Sequence, residues 1–262
     1  AFSMDDVLTK CFEPIEIALL SDYADLSAFC LDIIQKSISI YNFSGKLYDP
    51  INRQRLFIDY LMIVISKCYE KFFSSPVVEV QLIKLLLVLI TSSHSKIHGD
   101  SLMTCIRLCY NIYVCSSKPS NQTLALGALL QMISIIFQRT DCIDYDLACS
   151  NTLIYRIRDT DQNLNGESLN HSVRECLEHI VMIIDESKSI KMLYEKDSVI
   201  AFRNIARLSL KSLKDKRYSS LMENKEIQSK KLSHRLINHI LTNFTSQIKQ
   251  NLDYIEVLKL YH

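Results

Sequence analysis

Glycine and proline are scarce, with four of each among 262 residues, under half the usual usage of either. Glycine-rich phosphate loops and tight β-turns both depend on backbone at positive φ, so neither is expected. No Gly-x-x-x-x-Gly-Lys sequence occurs, which argues against a phosphate-loop nucleotide hydrolase. Long apolar runs are missing too. The longest, Leu85 to Ile90, is far short of the roughly 20 residues that cross a bilayer.

What remains is 48% hydrophobic residues in long segments of helical period, which predict an all-α protein. Ser3 is placed to cap a first helix reaching about Leu20, and Asp22 or Ser27 opens a second that ends near Gly45. Asp49-Pro50 is expected to start a third helix reaching Phe73, and Ser75-Pro76 a fourth, since proline at the first helical position loses no hydrogen bond. The fourth, VVEVQLIKLLLVLI, is apolar nearly all round and therefore central. Asp100 or Ser101 begins a fifth helix to Cys115, and Asn121 caps a sixth to Arg139. Residues 140–166 are polar and aperiodic, as in a linker. Helices resume at about 168–186, 196–213, 222–244 and 247–260. Such a series of amphipathic helices with short turns implies an extended armadillo/HEAT-like array of about ten helices.

Net charge is +1, unevenly spread. Residues 1–60 hold nine acids against five bases, and residues 201–250 hold eleven Lys and Arg against three acids. An acidic head and a basic tail suit head-to-tail contact, or an acidic partner or membrane; solvated helix faces are the plainer reading. On either reading the C-terminal helices are expected to pack on the preceding ones, because their apolar faces would otherwise be exposed. Nine cysteines, an odd number scattered through apolar patterns, imply reduced thiols rather than a disulfide framework. With no signal peptide before them, the Asn-x-Ser/Thr sequences at Asn42, Asn121 and Asn243 read as chance matches. The opening Ala-Phe-Ser reads as a cloning remnant.

His94 and His98, then Cys105 and Cys109, have metal-ligand spacing. Gly99-Asp100-Ser101 separates them, however. The histidines then fall near a helix C-terminus, where the dipole favours them, and the cysteines share a face with Leu102 and Ile106, as core residues do. No metal, cofactor or catalytic residue is therefore expected. The run KSLKDKRYSSLMENKEIQSKK, residues 211–231, has too little interleaved aromatic character for nucleic acid. Tyr110, Asn111 and Tyr113 form a more informative group. A polar Asn in an apolar helix either bonds locally, fixing register, or faces a partner.

Residues 82–139 strongly resemble the large Arf guanine-nucleotide exchange factors of the brefeldin-A-inhibited (BIG, Sec-seven) type. The matching words are Thr91-Ser92-Ser93-His94, Ile97-His98, Arg107, Cys109-Tyr110-Asn111-Ile112-Tyr113, Asn121-Gln122-Thr123, Gln131-Met132 and Ile136-Phe137. The stretches KDSVIAFRNIARLSLK (196–211) and IQSKKLSHRLI (227–237) are similar to the family's next block. The resemblance implies a dimerization and cyclophilin-binding (DCB) region over 1–165, a linker and connecting helix over 166–195, and the truncated start of the homology-upstream-of-Sec-seven (HUS) region over 196–262. Nothing resembles the family's catalytic domain. The chain is thus expected to be a cytoplasmic, non-catalytic regulatory fragment, peripheral on trans-Golgi membranes. Its implied partners are a small Arf or Arf-like GTPase and itself or the HUS region. The alternative is a helical scaffold of the related Mon-two type without exchange activity. Tyr110, Asn111, Tyr113 and Lys118 are the candidate partner-binding residues, with His94, His98 and Asn121 as structural caps and motif positions.

Overall fold

A computed structural model describes residues 4–41, 48–49, 52, 54–92, 95–140, 171–210 and 220–261. These form ten helices: α1 (Met4–Leu19), α2 (Ala24–Tyr41), α3 (Phe57–Lys71), α4 (Pro76–Thr91), α5 (Gly99–Cys115), α6 (Pro119–Thr140), α7 (His171–Leu210), α8 (Ser220–Asn243), α9 (Thr245–Gln250) and α10 (Leu252–Tyr261). The all-α helical array is as the periodicity requires. Two compact units divide the chain, one of residues 1–135 with 200–262, the other of residues 136–199.

In the first unit α4 is the hub, as its all-round apolar sequence predicts. Val78, Leu82, Ile83, Leu85, Leu86, Leu89 and Ile90 are all buried, and α4 lies against α2, α3 and α5. Helices two apart in sequence stack within a layer, α2 on α4 and α3 on α5, so each hairpin buries its apolar stripe on the next. Specific bonds fix the register. Phe12 meets Phe57 edge-on at 4.9 Å between centroids, Tyr60 Oη donates to Glu16 Oε2 at 2.6 Å, and Ser101 Oγ donates to Asp59 Oδ1 at 2.5 Å. Burial and the Glu16 carboxylate push the Tyr60 phenol up to about 12. By length and composition alone α6 could cross a membrane, but Ala125, Leu129, Met132 and Ile133 on it are buried in this core.

Several boundaries differ from the sequence expectation. Asp49-Pro50 does not open α3, which begins at Phe57. Asp49 is instead fully buried, its carboxylate taken by Arg55, whose Nε donates at 2.8 Å and whose Nη2 forms the ion pair. Tyr48 and Leu56 form an antiparallel bridge across this loop. Burial of the Asp49 carboxylate against Arg55, six residues on, overrides the helix-start signal. Ser27 is no cap either. Its Oγ donates to Leu19 O at 2.8 Å, tying α2 to the end of α1.

The helix α7 is continuous where two helices were expected. No glycine or proline interrupts it, and ion pairs Lys188–Asp185 and Lys191–Glu195 support its polar middle. The last helix, by contrast, breaks at Asn251, whose Oδ1 accepts the Asp253 N–H at 2.9 Å and so caps α10. Ser3 and the 141–166 linker lie outside the described residues.

Candidate interaction site at the α5–α6 hairpin

The α5–α6 turn is built over a buried carboxylate. Glu79, on α4, is 2% exposed. It accepts Ser116 Oγ at 2.5 Å and Asn121 Nδ2 at 2.7 Å. Asn121 Nδ2 also donates to Pro76 O at 3.1 Å, Ser116 Oγ accepts the Lys118 N–H at 3.2 Å, and Gln122 Nε2 donates to Ser116 O at 2.8 Å. Asn121 therefore does not cap α6, which starts two residues earlier at Pro119. It clamps α6 to α4. This network sets the turn and holds Lys118, which is exposed, at its tip.

Tyr110 takes a different role from the one its spacing suggested. It is 6% exposed and its Oη reaches α8. It donates to Ser229 O at 2.7 Å, with Ser229 Oγ and Ser233 Oγ each 2.8 Å away. Burial raises its pKa, keeping the phenol protonated as a donor. Tyr110 thus joins the α5 layer to the C-terminal segment and is not open to a partner. Asn111 and Tyr113 are half-buried, so together with Lys118 they leave solvent-accessible atoms around the tip.

A second contact holds α8. Ser134 Oγ, on α6, lies 2.8 Å from His239 Nε2 and gives its own proton to Leu130 O. The imidazole is therefore the donor at Nε2, and its Nδ1 accepts from Asn243 Nδ2 at 3.1 Å. Protonation at Nδ1 would set two donors against each other. Burial also lowers the His239 pKa. A depressed histidine pKa contributes stability that is fully present above the ordinary value near 6.5 and lost as pH falls through the folded value. His239→Gln is accordingly expected to lower the melting temperature at pH 7.5 by more than at pH 5, measured against wild type at each pH. An equal shift at both would contradict the assigned donor.

The other sequence candidates are structural or elsewhere. Cys105 and Cys109 are buried and face different neighbours, the Met62 Sδ at 3.6 Å and the Ala125 carbonyl at 3.5 Å. Burial pushes the Cys109 thiol up to about 12, away from the thiolate that a ligand or nucleophile needs. His98 is not at a helix C-terminus, because α4 stops at Thr91. It occupies the position before α5, where Gly99 takes φ +55° to turn the chain into the helix. His94 lies outside the described residues. Sequence reasoning missed Glu79, Ser229, Ser233 and His239. Only Glu79, a lone acid in an apolar helix, gave a signal.

Stacked helical hairpins, with polar clamps inside and an exposed tip at the α5–α6 turn, define a helical scaffold. The chain belongs to the Mon2/Sec7/BIG1-like dimerisation and cyclophilin-binding domain family, whose profile matches residues 2–143. It is 34% identical over 132 residues to the human brefeldin A-inhibited guanine nucleotide-exchange protein 1, covering 50% of this chain and 7% of that protein. The Schizosaccharomyces pombe ADP-ribosylation factor guanine nucleotide-exchange factor sec71 is 25% identical over 250 residues, 88% of this chain and 14% of that protein. The Saccharomyces cerevisiae exchange factor SEC7 is 36% identical over 94 residues, 35% and 5% respectively. The chain thus spans a small part of the length of these relatives.

Proposed function

We propose that this chain is a non-catalytic regulatory module of an Arf guanine-nucleotide exchange factor, which self-associates and is recruited from the cytoplasm to trans-Golgi membranes by a GTP-loaded small Arf or Arf-like GTPase. In this reading residues 1–165 are the DCB region and residues 196–262 the start of the HUS region. Family membership supports the self-association, and the names of the two yeast relatives supply the Arf connection. The observation that carries the recruitment step is the α5–α6 tip. The Glu79–Ser116–Asn121 network fixes its shape before binding, and Lys118 with half-buried Tyr113 supplies a cation and an aromatic there. A preordered surface of this kind loses little entropy on binding, and GTPase switch regions hold one shape only in the GTP state.

The test is capture of GTP- and GDP-locked Arf-like GTPases by the purified chain, wild type and Lys118→Glu. The GTP form is expected to be retained at least about tenfold better, a difference of about 1.4 kcal/mol, and Lys118→Glu to reduce that retention. Equal recovery of both nucleotide states would overturn the recruitment step. It would favour a Mon2-type scaffold without exchange activity, to which the family description also extends.

A further inference from the structure

The helix α2 buries one face on α1 and α4 and leaves another open. Along the open face run Leu26, Phe29, Ile33, Lys36 and Ile40, spaced 3, 4, 3 and 4 residues apart. That is the a/d spacing by which one helix seats against a second. Three of its members are strongly exposed, Leu26 at 40%, Phe29 at 60% and Ile40 at 67%, and Tyr23 at the head of the helix is 71% exposed. Isolated exposed apolar residues are ordinary, but a contiguous row at seam spacing marks a contact surface. The corner leading into α2 is fixed, because Lys71 Nζ holds Leu20 O at 2.6 Å and Asp22 Oδ1 at 2.7 Å.

We infer that the Leu26–Phe29–Ile33–Ile40 face of α2 is the self-association surface, occupied by α2 of a second copy running antiparallel; this rests on the self-association reading above. Two features select a second copy. Asp25 and Lys36 lie eleven residues apart, close to three full turns, so they share one line along the helix. In an antiparallel pair with its two-fold axis between Phe29 and Ile33, the Asp25 carboxylate of each copy meets the Lys36 ammonium of the other. Lys36 already sits 2.6 Å from Asp32 in its own helix, which orients the ammonium along the seam. The same axis sets Phe29 of each copy on Ile33 of the other, so the centre of the row pairs with itself. The 18 residues of α2 present a length of about 27 Å. A helix pair of that length stays within the small, reversible class of interface, and the dimer is concentration-dependent.

Sedimentation equilibrium of the whole chain, to about 100 µM, tests this with five proteins: wild type, Phe29→Glu, the charge swap D25K/K36D and each of its two single substitutions. Wild type is expected to dimerise and Phe29→Glu to weaken the dimer about thirtyfold or more, as expected for a residue central to an interface. Helicity should be unchanged, since Phe29 faces solvent in the monomer. Each single charge reversal should weaken the dimer and the double swap restore it. A wild-type dimer that Phe29→Glu leaves intact would overturn the α2 surface while leaving self-association standing. A wild type that stays monomeric throughout would overturn both.

Discussion

Replacing Arg55 by alanine is expected to destabilise the protein by about 3 kcal/mol, at the lower end of what breaking a buried ion pair costs. Asp49 has no exposed side-chain surface, while Arg55 keeps 30% of its own, so water offers the carboxylate little access. The guanidinium also lies 5.1 Å from the centre of the Tyr60 ring, and Tyr60 in turn bonds Glu16 on α1. The loss should therefore reach the α1–α3 contact. Urea unfolding measures it, and Asp49→Asn supplies the control. In that background the carboxylate is gone and Arg55→Ala should cost little more. Equal costs of Arg55→Ala in both backgrounds would show that the ion pair is not the source.

The second large effect concerns α8. Tyr110→Phe removes one hydroxyl serving three oxygen partners, Ser229 O, Ser229 Oγ and Ser233 Oγ. The expected cost is about 1–3 kcal/mol, the range for a buried group left without its partner. Ser233 Oγ retains a bond to Ser229 O at 2.9 Å, which limits the loss. Because the contact joins residues far apart in sequence, the effect should fall on the docking of α8 and not on the stability of the helix itself. A double-mutant cycle with Ser233→Ala reads the coupling directly. Strict additivity would mean that the two side chains do not meet in solution.

The helices were legible because their signals are local. Apolar period, the Pro76 start and the buried face of α5 all follow from neighbours within a few turns. Several of the errors share one cause, which is that a polar side chain read as a cap or a surface group bonds elsewhere in the chain. Asp49 resembles a helix start, but holds Arg55. Asn121 resembles a cap, but its amide reaches Glu79 on α4. Tyr110 resembles a surface aromatic next to Tyr113, but it reaches Ser229 and Ser233, about 120 residues away. No spacing rule connects residues across such distances. The expectation that the C-terminal helices pack on the preceding ones came from apolar area, which is a global argument, and there α8 does lie against α5. The α2 seam was also present as a pattern, but periodicity alone could not tell its open face from the buried one.

These observations converge on one structural statement, that α8 is part of the same compact unit as α1 to α5 and is pinned there by Tyr110. Amide hydrogen exchange of the wild-type chain tests it most directly. Residues 232–240 on α8 should be protected to a similar degree as residues 105–112 on α5, since both would open only with the unit as a whole. Near-unprotected exchange over residues 232–240, beside a protected α5, would show α8 undocked and contradict the account.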